Sequence, residues 1–118
     1  MLSDLAYQNC MDFLEMIEYD EADEPLRQIK DKNDIWYFIE PTQILVQRRR
    51  CNDQDIYITL GCECAWEREH GLQFVFRQGK RLTRISTIDG HLTEADAYGI
   101  SDEMDELLSQ FNRDYPPV

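Results

Sequence analysis

The chain of 118 residues and 14.1 kDa has room for one hydrophobic core and not for two. Hydrophobic residues at 42% and charged residues at 31% exclude disorder for the bulk of the chain and predict a well-hydrated surface. Twenty-four Asp and Glu against twelve Lys and Arg leave a net charge of −12, which argues against direct nucleic-acid binding and against attraction to anionic lipid.

Residues 4–20 are predicted to be a helix capped by Ser3, because Ala6, Cys10, Phe13, Leu14 and Ile17 recur at helical spacing. Asp12, Glu15 and Glu18 fall off that stripe. The acidic run 20–25, ending in Pro25, loses all periodicity and reads as a loop. Asn33 or Asp34 would cap a short helix over 33–40, through Ile35, Trp36 and Phe38, that Pro41 closes; a strand is the rival, given the aromatic and branched content.

From 42 to 88 the period changes to two. Ile56, Ile58, Leu60, Cys62, Cys64 and Trp66 would turn inward, with Asp55, Tyr57, Thr59, Glu63 and Glu67 on the outer face. Gln43 to Arg49 can pair with this strand across the turn Cys51-Asn52-Asp53-Gln54. Glu69-His70-Gly71 supplies the next turn, and Gln78-Gly79 a two-residue hairpin placing Leu72, Phe74 and Phe76 on one face with Thr83 and Ile85. A helix over 102–112 follows, capped by Ser101, striped by Met104, Leu107, Leu108 and Phe111, and ended by Pro116 and Pro117. The expected fold is one α+β domain, a four-stranded antiparallel meander with N-terminal and C-terminal helices packed on one face.

Charge is segregated along the chain. Residues 1–26 carry eight acidic side chains and no basic one, residues 27–88 eight acidic and eleven basic, and residues 89–118 eight acidic and one basic, so the sums −8, +3 and −7 make −12. Acidic helix faces are ordinary solvated surface, or they recognise a cationic partner. No apolar run approaches the ~20 residues that span a bilayer, and the start MLSDLAYQNC lacks a secretory pattern. A cytoplasmic location is expected, in which the four cysteines are thiols.

Cys62-Glu63-Cys64 near His70 has metal-ligand chemistry, but both thiols share a face with Ile58, Leu60 and Trp66, so they are expected to fill the interior and not to bind metal. No phosphate loop, nucleophile elbow or cofactor motif is present. His70 with Glu69, and His91 with Asp89, would make a catalytic or ligand-sensing pocket if their two loops met; each loop is equally explained as a turn. Arg48, Arg49 and Arg50 read as solvated charges on an edge strand. Glu67, Glu69, Asp102, Asp105 and Glu106 are expected to be exposed, and therefore to be contacts for a cationic protein. A homodimer through an exposed strand edge is a further expectation.

The segments Val46-Gln47-Arg48-Arg49, Ile56-Tyr57-Ile58, Cys62 to Gln73 (CECAWEREHGLQ), Gly79-Lys80-Arg81-Leu82 and Asp89-Gly90-His91-Leu92-Thr93 together resemble a group of small bacterial proteins with a tryptophan, acidic and EHGL signature. The resemblance spans about residues 42–98. Some members of that group look similar to immunity proteins of toxin systems, which implies a non-enzymatic acidic domain that binds and blocks a basic toxin.

Overall fold

The structure, a computed structural model, describes residues 2–116. Its centre is a four-stranded antiparallel sheet in the order β1-β2-β3-β4, with β1 Ile39–Arg48, β2 Ile56–Cys64, β3 Leu72–Arg77 and β4 Arg81–Thr87. Helix α1, Leu2–Met16, precedes it. Helices α3, Glu94–Tyr98, and α4, Glu106–Asp114, follow it. The chain is thus the expected α+β meander flanked by helices at both ends.

The sheet is covered on both faces, not on one. Leu60, Cys62, Cys64, Leu72, Phe74 and Leu82 pack with Ala6, Cys10 and Leu14 of α1 and with Ile35 in one apolar cluster. On the opposite face, Tyr57, Val75 and Leu92 form a second cluster, and Arg77 stacks its guanidinium 4.3 Å from the Phe111 ring of α4. Tyr57 and Thr59, expected in solvent, are therefore buried beneath the C-terminal segment. Ile56, expected inside, is 42% exposed, because it is the first residue of β2 and lies outside the apolar cluster beneath α1. Alternation correctly separates the two sets of side chains; it cannot tell that the more polar set is covered too.

Local boundaries differ from expectation for identifiable reasons. Ser3 is within α1, where its hydroxyl accepts from Trp36 Nε1 at 2.8 Å, and the helix stops at Met16, short of residue 20. The acidic run is partly helical: Asp20 caps a 3-10 turn over Glu21–Asp23, which leads into α2, Glu24–Arg27, with Pro25 in its first turn, where no backbone donor is needed. Asp31, not Asn33 or Asp34, caps the 3-10 helix Lys32–Phe38. Pro41 does not close that helix. It lies inside edge strand β1 beside a bulge, a position that tolerates its missing N–H.

The β3–β4 loop has three residues, Gln78, Gly79 and Lys80, since Arg77 pairs with Arg81. A bulge between Val75 and Phe76 sets Leu82 opposite Phe76 and turns Thr83 to the other face, where its buried hydroxyl donates to Leu92 O at 2.9 Å. The last helix begins later than expected. Asp105, not Ser101, caps it by accepting from Leu108 N. Met104 is 73% exposed and belongs to the preceding 3-10 turn Asp102–Met104. Asp114 is its last residue, ahead of Pro116; Pro117 lies outside the described residues.

All four cysteines are free thiols, with Cys10, Cys62 and Cys64 buried and Cys51 exposed. Burial, reinforced by the neighbouring Cys64 thiol, pushes Cys10 up to about 12 and Cys62 up to about 11. Iodoacetamide at neutral pH should therefore label Cys51 alone, and all four thiols only in denaturant. Mass spectrometry reads this directly, and rapid native labelling of Cys62 or Cys64 would contradict their place in the core.

Candidate functional site

The β2–β3 connection is a tight loop that the sequence dictates through Gly71. Gly71 adopts φ 72°, and a Cβ there would come within 2.7 Å of the Cys62 carbonyl oxygen, so no side chain is tolerated. Its N–H donates to Glu67 O at 3.1 Å. Glu67 Oε1 accepts from His70 N at 3.3 Å and lies 3.3 Å from His70 Nδ1. These bonds fix the loop internally, and Trp66 ties it to α1 by donating Nε1 to Asn9 Oδ1 at 3.0 Å.

Between the two lies a groove of about 340 Å³. Phe13, Ile17 and Trp66 give it an apolar wall, and Glu67, Glu69 and His70 form its rim. Asp23 lies in the same groove and is only 7% exposed. Its carboxylate makes no helix-capping bond, and among the described residues its ion pair is with Arg68 Nη2 at 3.9 Å, a side chain that is 61% exposed. A carboxylate so buried and so loosely matched carries a desolvation cost that a cation entering the groove would offset. The shape suits a long cationic side chain, with its aliphatic stem along Phe13 and Ile17 and its charge at Asp23.

His91 and Asp89 lie elsewhere. They line a second cavity of about 630 Å³ together with Arg48, Arg50 and Leu92, on the face opposite α1. The four residues of the catalytic constellation therefore do not share one pocket. Asp89 is occupied structurally: Oδ1 accepts from Gln73 Nε2 at 2.9 Å and His91 N at 3.0 Å, and Oδ2 from Arg84 Nη2 at 2.6 Å. Burial opposes ionisation of Asp89, but the Arg84 bond wins and holds it below its ordinary range. A carboxylate so engaged is a weak base. Arg84 also sets Nη1 2.7 Å from Glu94 Oε2, outside hydrogen-bond geometry.

Of the five acidic contacts expected at the surface, Glu69 and Glu106 are exposed and the others serve the fold. Glu67 holds the His70 loop as described. Asp105 is buried and accepts from both Ala95 N and Leu108 N. Asp102 is bonded to Arg49.

Arg49 is the largest departure from expectation. Instead of a solvated edge charge, it is a buried hub whose side chain is 1% exposed. Its five N–H groups are all used: Nε and Nη2 on Asp96 at 3.0 and 2.8 Å, Nη1 and Nη2 on Asp102 at 2.9 and 2.8 Å, and Nη1 on Asp53 at 2.8 Å. Tyr57 donates its hydroxyl to Asp53 at 2.9 Å. Much of the acidic excess of residues 89–118 is thus neutralised inside the fold. The carboxylates on α1 and just after it are not: among the described residues no basic side chain pairs with Asp12, Glu15, Glu18, Asp20 or Glu21. The signal available in the sequence was the i, i+4 pair of Arg49 and Asp53, together with an acidic segment in need of a counter-ion.

The fold and groove define a small acidic α+β domain with a recessed carboxylate between its first helix and its central hairpin. The chain belongs to the family of the domain of unknown function DUF6985, whose sequence profile matches residues 1–92. That span holds α1, the groove and the whole sheet, and leaves α3 and α4 outside. No curated protein and no solved structure matches the chain. Among the described residues no helix is long and apolar enough to cross a membrane.

Proposed function

We propose that the protein is a non-enzymatic binding module that captures a cationic protein, with Asp23 and its groove as the receptor for an arginine or lysine of the partner and the outer face of α1 as the surrounding acidic field. The observation that carries this reading is the Asp23 carboxylate, sequestered beside apolar walls with a distant, exposed counter-ion. Buried charge of that kind weakens a free protein and strengthens a complex. In its most specific form the partner is a basic toxin and the protein its immunity-type inhibitor, a reading that rests on the resemblance of the central segment to a group of small bacterial proteins some of which look similar to immunity proteins.

The test immobilises the protein, captures from extract of the native host under a salt titration, and repeats the capture with Asp23→Asn and Glu69→Lys. A basic protein retained by the wild type, released by salt and lost from both variants is expected. Asp23→Asn should meanwhile leave the melting temperature unchanged or raise it, since it removes an under-compensated buried charge. A captured toxin should arrest growth when expressed alone and not with this chain. Retention of nothing basic, or equal retention by the variants, would defeat the reading.

A further inference from the structure

β1 is an open sheet edge of unusual composition. Ile44, Leu45 and Val46 at its centre are 68%, 43% and 66% exposed. The other edge strand, β4, packs against both α1 and α4, whereas β1 pairs with β2 and has an unoccupied ladder beyond. Edges in stable monomers are blunted by lysine, proline or a bulge. β1 has such devices only at its two ends, Pro41 and the bulge before Gln43 at one and the charge of Arg48 at the other, and none across Ile44, Leu45 and Val46.

The hydrogen-bonding phase of the strand follows from its neighbours. Arg49 N donates to Asp55 O, so by alternation Gln47, Leu45 and Gln43 bond to β2. Ile56, opposite Arg48, instead turns its carbonyl to Gln78 N on the β3 side, as a non-bonded pair must. The N–H and C=O groups of Ile44, Val46 and Arg48 therefore point away from β2, toward the open edge.

We infer that this edge pairs with β1 of a second copy, antiparallel and about a two-fold axis, joining two four-stranded sheets into one of eight strands. Charge selects that occupant and that direction. β1 is acidic at its start, Glu40, and the chain is basic at its end, Arg48 and Arg50. Antiparallel self-pairing sets unlike ends together, while parallel pairing would stack like ends. Centring on Leu45 places Ile44 beside Val46 of the partner subunit twice over and sets the acidic start of β1 at Glu40 against the basic end of the partner's strand. A two-fold pairing uses the single β1 edge of each copy, so association closes at two.

Light scattering and sedimentation of the full chain over a concentration series test this. The expected mass is twice 14.1 kDa at high concentration, dissociating on dilution. Val46→Pro deletes an outward N–H that β2 does not use and should weaken dimerisation at least about tenfold. Glu40→Lys and Arg50→Glu should each weaken it severalfold, and the double exchange should restore it; this pair carries the test should Val46→Pro fail to fold. A mass of 14.1 kDa throughout, a dimer indifferent to the charge exchange, or growth beyond two copies would each overturn the inference. Asp23→Asn leaves this edge intact, so loss of partner capture and loss of dimer are separable results.

Discussion

Arg49→Met is expected to destabilise the protein by about 3 kcal/mol, a substantial part of the 5–15 kcal/mol available to a domain of this size. The thioether keeps the volume of the stem, so the loss isolates the guanidinium. Asp53, Asp96 and Asp102 would then face one another with no cation between them. Breaking a buried ion pair by removing one partner costs about 3–5 kcal/mol, and the lower end applies because the Asp96 and Asp102 side chains retain 26% and 24% of their exposure. Arg49→Lys should recover only part, since one ammonium cannot serve two carboxylates bidentately and a third besides. Urea unfolding at neutral pH measures the difference; a loss below about 1 kcal/mol would mean that the network adds nothing beyond its desolvation cost.

The same network predicts the response to acid. Hydrogen bonds from Arg49 hold Asp102 below its ordinary range, and Arg84 does so for Asp89 against the effect of burial. In the unfolded chain both titrate near about 3.9. The unfolded state therefore binds more protons in the interval beneath that value. This stabilisation is fully present above about pH 5 and is lost as pH falls through the folded-state values. Arg49→Met removes the depression at Asp102, so the gap in stability between wild type and variant should close below about pH 4. A gap that stayed constant into acid would assign the loss to packing rather than charge.

Periodicity was sufficient to place the four strands, the N-terminal stripe and the inward thiols, because each depends on local alternation that a core face enforces. Three things lay beyond it. The burial of Tyr57 and Thr59 depends on a C-terminal segment folding back over the second face, a contact between distant parts of the chain. The role of Arg49 depends on Asp96 and Asp102, 47 and 53 residues away, and a triplet of arginines on a strand end has the same local appearance whether solvated or enclosed. Asp23 lay in a run read as loop, where helix propensity is weak and capping by Asp20 decides the conformation. The first two omissions depend on contacts between parts of the chain remote in sequence, which is where composition and spacing carry least information.

Trp66→Ala is expected to cost about 3–5 kcal/mol and to lower the melting temperature by about 10–25 °C. Trp66 is 3% exposed and packs in the cluster that unites α1, Leu26, Ile35 and one sheet face, while its Nε1 donates to Asn9 Oδ1 of α1 at 3.0 Å. Truncation removes a buried contact between the central hairpin and α1 and leaves the amide oxygen of Asn9 without its donor. Trp66→Phe should cost less, about 1–2 kcal/mol, from the lost hydrogen bond and a partial void. Because the cluster is continuous, unfolding should remain one transition with a lower midpoint and an unchanged slope in urea. A reduced slope would mean instead that α1 detaches before the sheet melts. That distinction bears on function, since the groove at Asp23 exists only while α1 is docked: in a single transition each variant should keep partner capture up to its own midpoint and lose it together with the sheet, Trp66→Ala at a lower temperature than Trp66→Phe.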